Sequence, residues 1–294
     1  MNPFLERMGY GPEDRVLVTH IDDMGFCHAA NEASKACLSS GAASCASVLV
    51  NAPWFQGAVA VCRENPGFDV GVHLTFTAEY PTFRWPALST RDPSSGLLDA
   101  EGYLWHTRED AVRNVTVEAA TTEMRAQIET ALEAGIDITH IDTHMGSVVH
   151  PKFLRQYLAL ADEFNVPAFL PNITRERLAM IEHDDMTDEY LDVLEKVDNN
   201  AVPTLDEIII DTLVPLADKR AFYEDKVRSI KPGLTHLLFH PAVDGEELAA
   251  IADTHVSRHA DYVVWSDPGM KQFIADEGIA HIGYRELRDA MRAG

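Results

Sequence analysis

The strongest constraint on the fold is a repeated alternation of short apolar runs with helical patterns. The apolar runs are typical of strands and occupy residues 15–21, 43–51, 69–75, 137–144, 166–171, 233–242 and 279–284. Between them, the spacing of apolar residues predicts helices at 27–41, 53–65, 109–135, 151–165, 244–276 and 285–291. The acidic region from 174 to 230 is also expected to be helical, with breaks. Near-continuous apolar strands that alternate with helices predict a parallel sheet covered by helices.

The chain length is compatible with one large domain. With 294 residues and 46% hydrophobic content, the chain can bury a sizeable core. One barrel-like α/β domain is the economical arrangement, and a doubly wound open sheet is the alternative. The alternation is interrupted at residues 76–108, which are rich in proline, glycine and aromatic residues. An insertion of this length is more often a functional loop or lid than a simple connection.

Charge and hydropathy exclude several classes of partner. The 47 acidic and 24 basic residues give a formal charge of -23, spread along the chain. Such a surface repels phosphate backbones and anionic lipid, so we expect neither nucleic acid nor a membrane as partner. No apolar run reaches the roughly 18 to 20 residues that span a bilayer, and residues 1–15 lack the apolar core of a secretory signal. We expect a cytoplasmic protein whose four cysteines are reduced and without function.

Ionisable side chains gather where four of the predicted strands end. These residues are Asp22, Asp23, His73, Asp142, His144 and His240. The carboxyl ends of parallel strands meet at one edge of a sheet or barrel, where active sites of such folds usually lie. We therefore expect these side chains to lie close together.

Strand geometry predicts which of these side chains share a face. Residues two apart point to the same side, so His140, Asp142 and His144 should do so. Strict alternation places Asp22 and Asp23 on opposite faces unless the chain turns between them, which the following glycine permits. Two imidazoles and a carboxylate are an ordinary ligand set for a catalytic divalent ion. One aspartate could then bind the ion while its neighbour accepts a proton from water.

Each of these features taken alone has a purely structural explanation. Adjacent aspartates after a strand are typical of a helix N-cap or a solvated turn. A single histidine in a strand is most often a hydrogen-bonded core residue. We interpret His140 and His236 as packing groups or as groups that support metal ligands. The joint occurrence at strand ends, rather than any single match, favours a functional site.

Four motifs occur in order along nearly the whole chain: DDMG at 22–25, GVHLT at 71–75, THIDTH at 139–144 and HPA at 240–242. In this combination the chain resembles the YdjC-like family, the chitooligosaccharide deacetylases and their relatives. The resemblance implies a single irregular TIM-like (β/α) barrel over residues 1–294, with a long loop insertion at 76–108.

The resemblance also implies a role for each motif residue. Asp23, His73 and His144 would be the metal ligands and Asp22 the general base. His240 would be the acid or a histidine that contacts substrate. The implied cofactor is one divalent metal ion, with magnesium or zinc as the first candidates.

Further residues are predicted around this site. Asp142 and His140 would contact the metal ligands without binding the metal themselves. The aromatic side chains Tyr80, Trp85 and Trp105 of the long loop look exposed in the sequence and could stack on a sugar ring, although a hydrophobic cap explains them equally well.

The predicted function is that of a metal-dependent hydrolase that removes an acetyl group from an N-acetylated sugar or oligosaccharide. A metal-activated water would attack, with an aspartate as base and a histidine as acid. The alternatives are a glycoside hydrolase on the same barrel and a non-catalytic protein that binds metal or carbohydrate. Adjacent aspartates are poorly placed for the first alternative, which needs carboxylates on both sides of the glycosidic bond. The expected partner is a small carbohydrate, and the sequence leaves a homo-oligomer open.

Overall fold

One parallel sheet of seven strands forms the centre of the molecule in a computed structural model, which describes residues 2–172, 187–211 and 213–293. The strands are β1 (Arg15–Met24), β2 (Cys45–Val48), β3 (Val70–Leu74), β4 (Ile138–Thr143), β5 (Glu207–Ile210), β6 (Gly233–Phe239) and β7 (Ala280–His281). Their order is β4-β3-β2-β1-β6-β5, and β7 lies beside the first part of β1.

The segment that follows α-helical residues 151–163 continues the sheet between its two edge strands. Isolated bridges pair Ile141 with Ala168 and Pro171 with Leu205, next to β5. The parallel sheet therefore curves into an irregular TIM-like barrel, which confirms the predicted fold class. The expected strand at 166–171 forms only these bridges, because the prolines in it have no amide hydrogen for a ladder.

Helices cover the strands over much of the described chain. They are α1 (Pro3–Arg7), α2 (His28–Ser40), α3 (Phe55–Glu64), α4 (Arg108–Asn114), α5 (Val117–Glu133), α6 (Pro151–Glu163), α7 (Thr187–Leu194), α8 (Lys219–Arg228), α9 (Glu246–Ile251), α10 (His255–Trp265), α11 (Pro268–Asp276) and α12 (Tyr284–Arg292). Gly41 ends α2 in the left-handed conformation, as expected of a C-terminal glycine. Among the helices described, none is long and apolar enough to cross a membrane.

Two helical predictions are wrong in detail. The helix predicted at 109–135 is two helices, because Val115 is extended and the Thr116 side chain caps α5 by accepting from the Ala119 amide. The acidic region is not helical throughout, because strand β5 lies between α7 and α8. Residues 173–186 of that prediction lie outside the described residues.

Strand register aligns the motif residues at one end of the barrel. His73 in β3 pairs with Asp142 in β4, although the two are 69 positions apart in sequence. In the same way, Ile21 pairs with Phe239, so the residues that follow them, Asp22 and His240, lie at similar height. Parallel pairing therefore brings the four distant motifs to the same barrel mouth.

The long loop is tied down rather than loosely extended. Thr77 bridges to Trp105, and the Ala78 amide donates to the Trp105 carbonyl at 2.8 Å. The indole nitrogen of Trp105 donates to the Gly96 carbonyl at 2.7 Å. Trp85 is only 1% exposed, so the expectation that it is an exposed aromatic residue is wrong. Trp85 packs near Phe26 in the core, where its large apolar surface is removed from water.

Candidate metal centre and cavity

A cavity of about 610 Å³ opens at the carboxyl ends of the strands. Its walls include Asp22, Asp23, Tyr80, His144, His240 and Arg258. This volume lies within the range typical of sites for small molecules. Among the three aromatic residues proposed to stack on a ligand, Tyr80 is the one that lines this cavity.

Asp23 is turned toward the same side as Asp22 by its own backbone. It has a φ of 66°, and the pairing of β1 with β2 shifts register between Ile21 and Met24. A positive φ is uncommon outside glycine, although aspartate tolerates it better than most residues. The predicted turn between the two aspartates therefore exists, and it is centred on Asp23.

Asp23 meets two histidines inside the barrel mouth. Its Oδ1 atom lies 3.2 Å from Nδ1 of His144 and 3.5 Å from Nε2 of His73. The two histidine nitrogens are 3.3 Å apart. Oδ1 is buried and has no well-formed hydrogen bond within the part of the chain that the structure describes. An unsatisfied buried oxygen facing two imidazole nitrogens fits a divalent cation, because these are its ordinary ligands.

Among the residues that the structure describes, two other groups of possible ligands fit a cation less well. Both contain Asp142, whose carboxylate already accepts hydrogen bonds from His73 at 2.9 Å and from Ser47 at 2.7 Å. One of them also needs His20 and His140, whose Nε2 atoms are 2.8 Å apart and hydrogen-bonded to each other. Asp23, His73 and His144 are therefore the group best able to hold a metal ion.

The electrostatics of this group favour positive charge. Burial opposes protonation of His144, yet the nearby carboxylates of Glu79 and Asp23 raise its pKa well above the usual range. Burial also opposes ionisation of Asp23, but Arg258 and His144 hold its pKa well below the usual range. Asp23 is thus a carboxylate at neutral pH, and the cluster attracts cations.

Arg258 is the cation that compensates Asp23. Its Nη1 atom donates to Oδ2 of Asp23 at 2.9 Å, and Nη2 donates to the Tyr80 hydroxyl at 3.1 Å. The guanidinium also lies 5.5 Å from the centre of the Phe26 ring. One Asp23 oxygen is therefore held by arginine, and the other faces the histidines.

Asp22 has a different set of neighbours. Its Oδ1 atom accepts from Nδ1 of His20 at 2.8 Å, and its Oδ2 lies 3.6 Å from Nε2 of His240. The His240 amide donates to Asp261, which holds the HPA segment against α10. Burial lowers the pKa of His240 even though Asp22 and Asp23 act in the opposite direction. Asp22 and His240 thus face each other across the cavity floor.

Two other predicted residues lie deeper in the barrel. His140 contacts His20 and stacks on Tyr284 with ring centres 4.0 Å apart. His236 lies 3.1 Å from the Tyr284 hydroxyl. Both histidines are buried, and burial holds their pKa values well below the usual range. The interpretation of His140 and His236 as packing or supporting groups stays a prediction.

Sequence reasoning missed Arg258, Glu79 and Ser47. Arg258 lies 235 positions from Asp23, in a helix without a recognisable motif. Ser47 lies in a strand whose sequence looks like ordinary core. Glu79 offered a signal, because this carboxylate lies shortly after the GVHLT motif, near the start of the unusual loop.

The parallel barrel and its Asp-His-His group define a class: (β/α) barrel proteins with a cluster of possible metal ligands at the carboxyl ends of the strands. The chain belongs to the YdjC-like family, whose family model matches residues 16–276. The resemblance seen in the four motifs is therefore confirmed.

Individual relatives match over almost their whole length. A protein of Thermus thermophilus named carbohydrate deacetylase is 30% identical over 289 residues, which are 98% of each chain. A carbohydrate deacetylase of Thermoanaerobacter pseudethanolicus is 24% identical and covers 93% of this chain and all of its own. Among solved structures, a candidate cellobiose-phosphate cleavage protein of Enterococcus faecalis superposes with a TM-score of 0.76 at 24% identity, covering 93% of this chain and 99% of its own. The likeness to this solved structure supports the assignment of the fold.

Proposed function

We propose that this protein is a metal-dependent carbohydrate deacetylase, a hydrolase that cleaves the amide bond of an N-acetylated sugar or oligosaccharide. The observation that carries the proposal is the pairing of a cation-binding group, Asp23, His73 and His144, with Asp22 and His240 at the floor of one cavity. The names of the two carbohydrate deacetylases that match nearly the full chain support the same reaction.

Each residue of the site has a separate role in this reaction. Asp23, His73 and His144 would hold one divalent ion, with magnesium or zinc as candidates. When bound, the ion supplies a Lewis acid for the amide carbonyl and lowers the pKa of water. Asp22 accepts a proton from the attacking water. His240 donates a proton to the nitrogen as the C–N bond breaks, because an unprotonated amine leaves poorly.

Release of acetate is the test of this proposal. The purified protein is stripped with a chelator, reloaded with magnesium, zinc or manganese, and assayed on N-acetylated mono- and oligosaccharides. We expect acetate release that depends on metal and is abolished by the chelator. Metal-loaded protein that releases no acetate from any substrate of the panel would contradict the proposal. Cleavage between sugars that is insensitive to chelator would instead support a glycoside hydrolase, and tight sugar binding without turnover would support a binding protein.

A further inference from the structure

Two consecutive side chains of the long loop, Glu79 and Tyr80, lie at the candidate metal centre. Glu79 contacts His144, and Tyr80 contacts Arg258, the partner of Asp23. Two of the three possible ligands are therefore held from the loop, one directly and one through the arginine. The Glu79 side chain is 20% exposed, so most of it is withdrawn from water.

The two ring nitrogens of His144 face different partners. Nδ1 lies 3.2 Å from Asp23 and 3.3 Å from His73, inside the ligand group. Nε2 lies 3.0 Å from Oε2 of Glu79, on the side away from that group. A carboxylate accepts hydrogen bonds and cannot donate them when ionised, so it requires a hydrogen on Nε2. In the neutral imidazole, which is the form that binds metal, Nδ1 is then the nitrogen with a free lone pair.

His73 has the opposite arrangement. Its Nδ1 donates to Asp142 at 2.9 Å, and its Nε2 lies 3.5 Å from Oδ1 of Asp23. Each histidine thus has a carboxylate on the nitrogen that faces away from the ligand group. Such carboxylates set the ring orientation and the tautomer of a histidine that binds metal.

We propose that Glu79 is a positioning residue that fixes His144 as a ligand through Nδ1, so that the long loop builds the metal centre. This inference rests on the metal site of the proposed function and deepens it. The loop can do this because its base is held in place: the Ala78 amide donates a hydrogen bond to the Trp105 carbonyl, and Tyr80 packs against Phe26 with ring centres 4.9 Å apart.

The tautomer can be observed directly in zinc-loaded protein. Nitrogen-15 labelling of histidine, with His144→Gln used for assignment, separates metal-bound from protonated ring nitrogens by NMR. We expect Nδ1 of His144 to bind zinc and Nε2 to carry hydrogen, with the reverse for His73. Zinc bound to Nε2 of His144 would overturn the inference.

Zinc affinity provides the second measurement. Competition with a chromogenic chelator should show that Glu79→Ala weakens zinc binding about 10- to 100-fold. Glu79→Gln should weaken it less, because the amide oxygen still accepts a neutral hydrogen bond from Nε2. Glu109→Gln is the matched control, because Glu109 is an exposed carboxylate just beyond the same loop. Circular dichroism of the metal-free variants checks that each is folded.

The outcomes separate this inference from the proposed function. If the wild-type protein binds no zinc, magnesium or manganese, both fail. If the wild type binds zinc and Glu79→Ala binds it equally well, only the role of Glu79 fails. A loss of affinity in Glu79→Ala with partial recovery in Glu79→Gln supports the inference even if no sugar substrate is found.

Discussion

Asp22 and Asp23 are neighbours in sequence and both lie near His73, but their shortest contacts are with different residues. Asp23 faces the histidine nitrogens and Arg258, whereas Asp22 is held by His20 and faces His240. The difference follows from the positive φ of Asp23, which turns its side chain toward the cavity. The two carboxylates can therefore be tested separately.

Asp22→Asn should retain metal and lose turnover. An amide keeps the shape of the side chain but cannot accept a proton at neutral pH, so we expect kcat to fall by about 10²-fold or more. Asp23→Asn should instead lose metal. Metal stoichiometry and acetate release, measured on both variants, check the assignment. It would be wrong if Asp22→Asn turned over at the wild-type rate or lost metal as Asp23→Asn does.

Arg258→Met should destabilise the metal-free protein more than the metal-loaded protein. Removing one partner of a buried ion pair leaves the Asp23 charge uncompensated, which costs about 3–5 kcal/mol. A bound cation offsets part of that charge. Urea unfolding with and without metal measures the difference. Arg113→Met is the control, because its side chain is 73% exposed and its pair with Asp110 should contribute less than about 1 kcal/mol. If Arg258→Met lowered the free energy of unfolding equally with and without metal, this role of Arg258 would be contradicted.

At the scale of elements, the 76–108 loop is a packed part of the barrel mouth. Its aromatic residues Tyr80, Phe83 and Trp85 surround Phe26, which follows β1. The loop therefore contributes to the core as well as to the cavity. The hydrophobic-cap interpretation describes Trp85, while Tyr80 remains available at the cavity wall.

Trp85→Ala should therefore act on stability. Deleting a buried tryptophan costs about 3–5 kcal/mol through lost packing and the cavity that remains. Trp54→Ala should cost much less, since Trp54 is 37% exposed. Thermal and urea unfolding of the two variants give the comparison. A Trp85→Ala protein of unchanged stability with a raised KM would restore the idea that Trp85 stacks on a sugar.

At the scale of the whole molecule, buried titratable groups make stability depend on pH. His281 in β7 lies 2.7 Å from the Thr19 hydroxyl, and burial together with Lys271 lowers its pKa to about 4. The unfolded chain keeps a histidine pKa near 6.5. Between pH 6.5 and 4, His281 is largely protonated in the unfolded state and largely unprotonated in the folded state. The free energy of unfolding therefore falls as pH falls.

His281→Gln should flatten this part of the stability curve. The free energy of unfolding, measured in urea between pH 4.5 and 7.5, should change less with pH in the variant than in the wild type. Comparing the two proteins isolates this group from Asp69, whose pKa burial raises to about 6 and which acts in the opposite direction. His28→Gln is the control, because the His28 side chain is 55% exposed. An unchanged pH slope in His281→Gln would show that another group dominates.

The sequence by itself determined the class of fold and the motif residues of the site. Alternating apolar runs and helical spacing are local patterns, and parallel strands necessarily bring their carboxyl ends together. The DDMG, GVHLT, THIDTH and HPA motifs could therefore be assigned to one barrel mouth from the sequence alone.

Only the tertiary structure decided which side chains complete that site. The pairing of Arg258 with Asp23 and the contact of Glu79 with His144 depend on how a distant helix and a long loop pack against the barrel. The burial of Trp85 depends on the same packing. Local patterns do not encode such contacts, because their free energy comes from residues far apart in sequence that meet only when the whole core has formed.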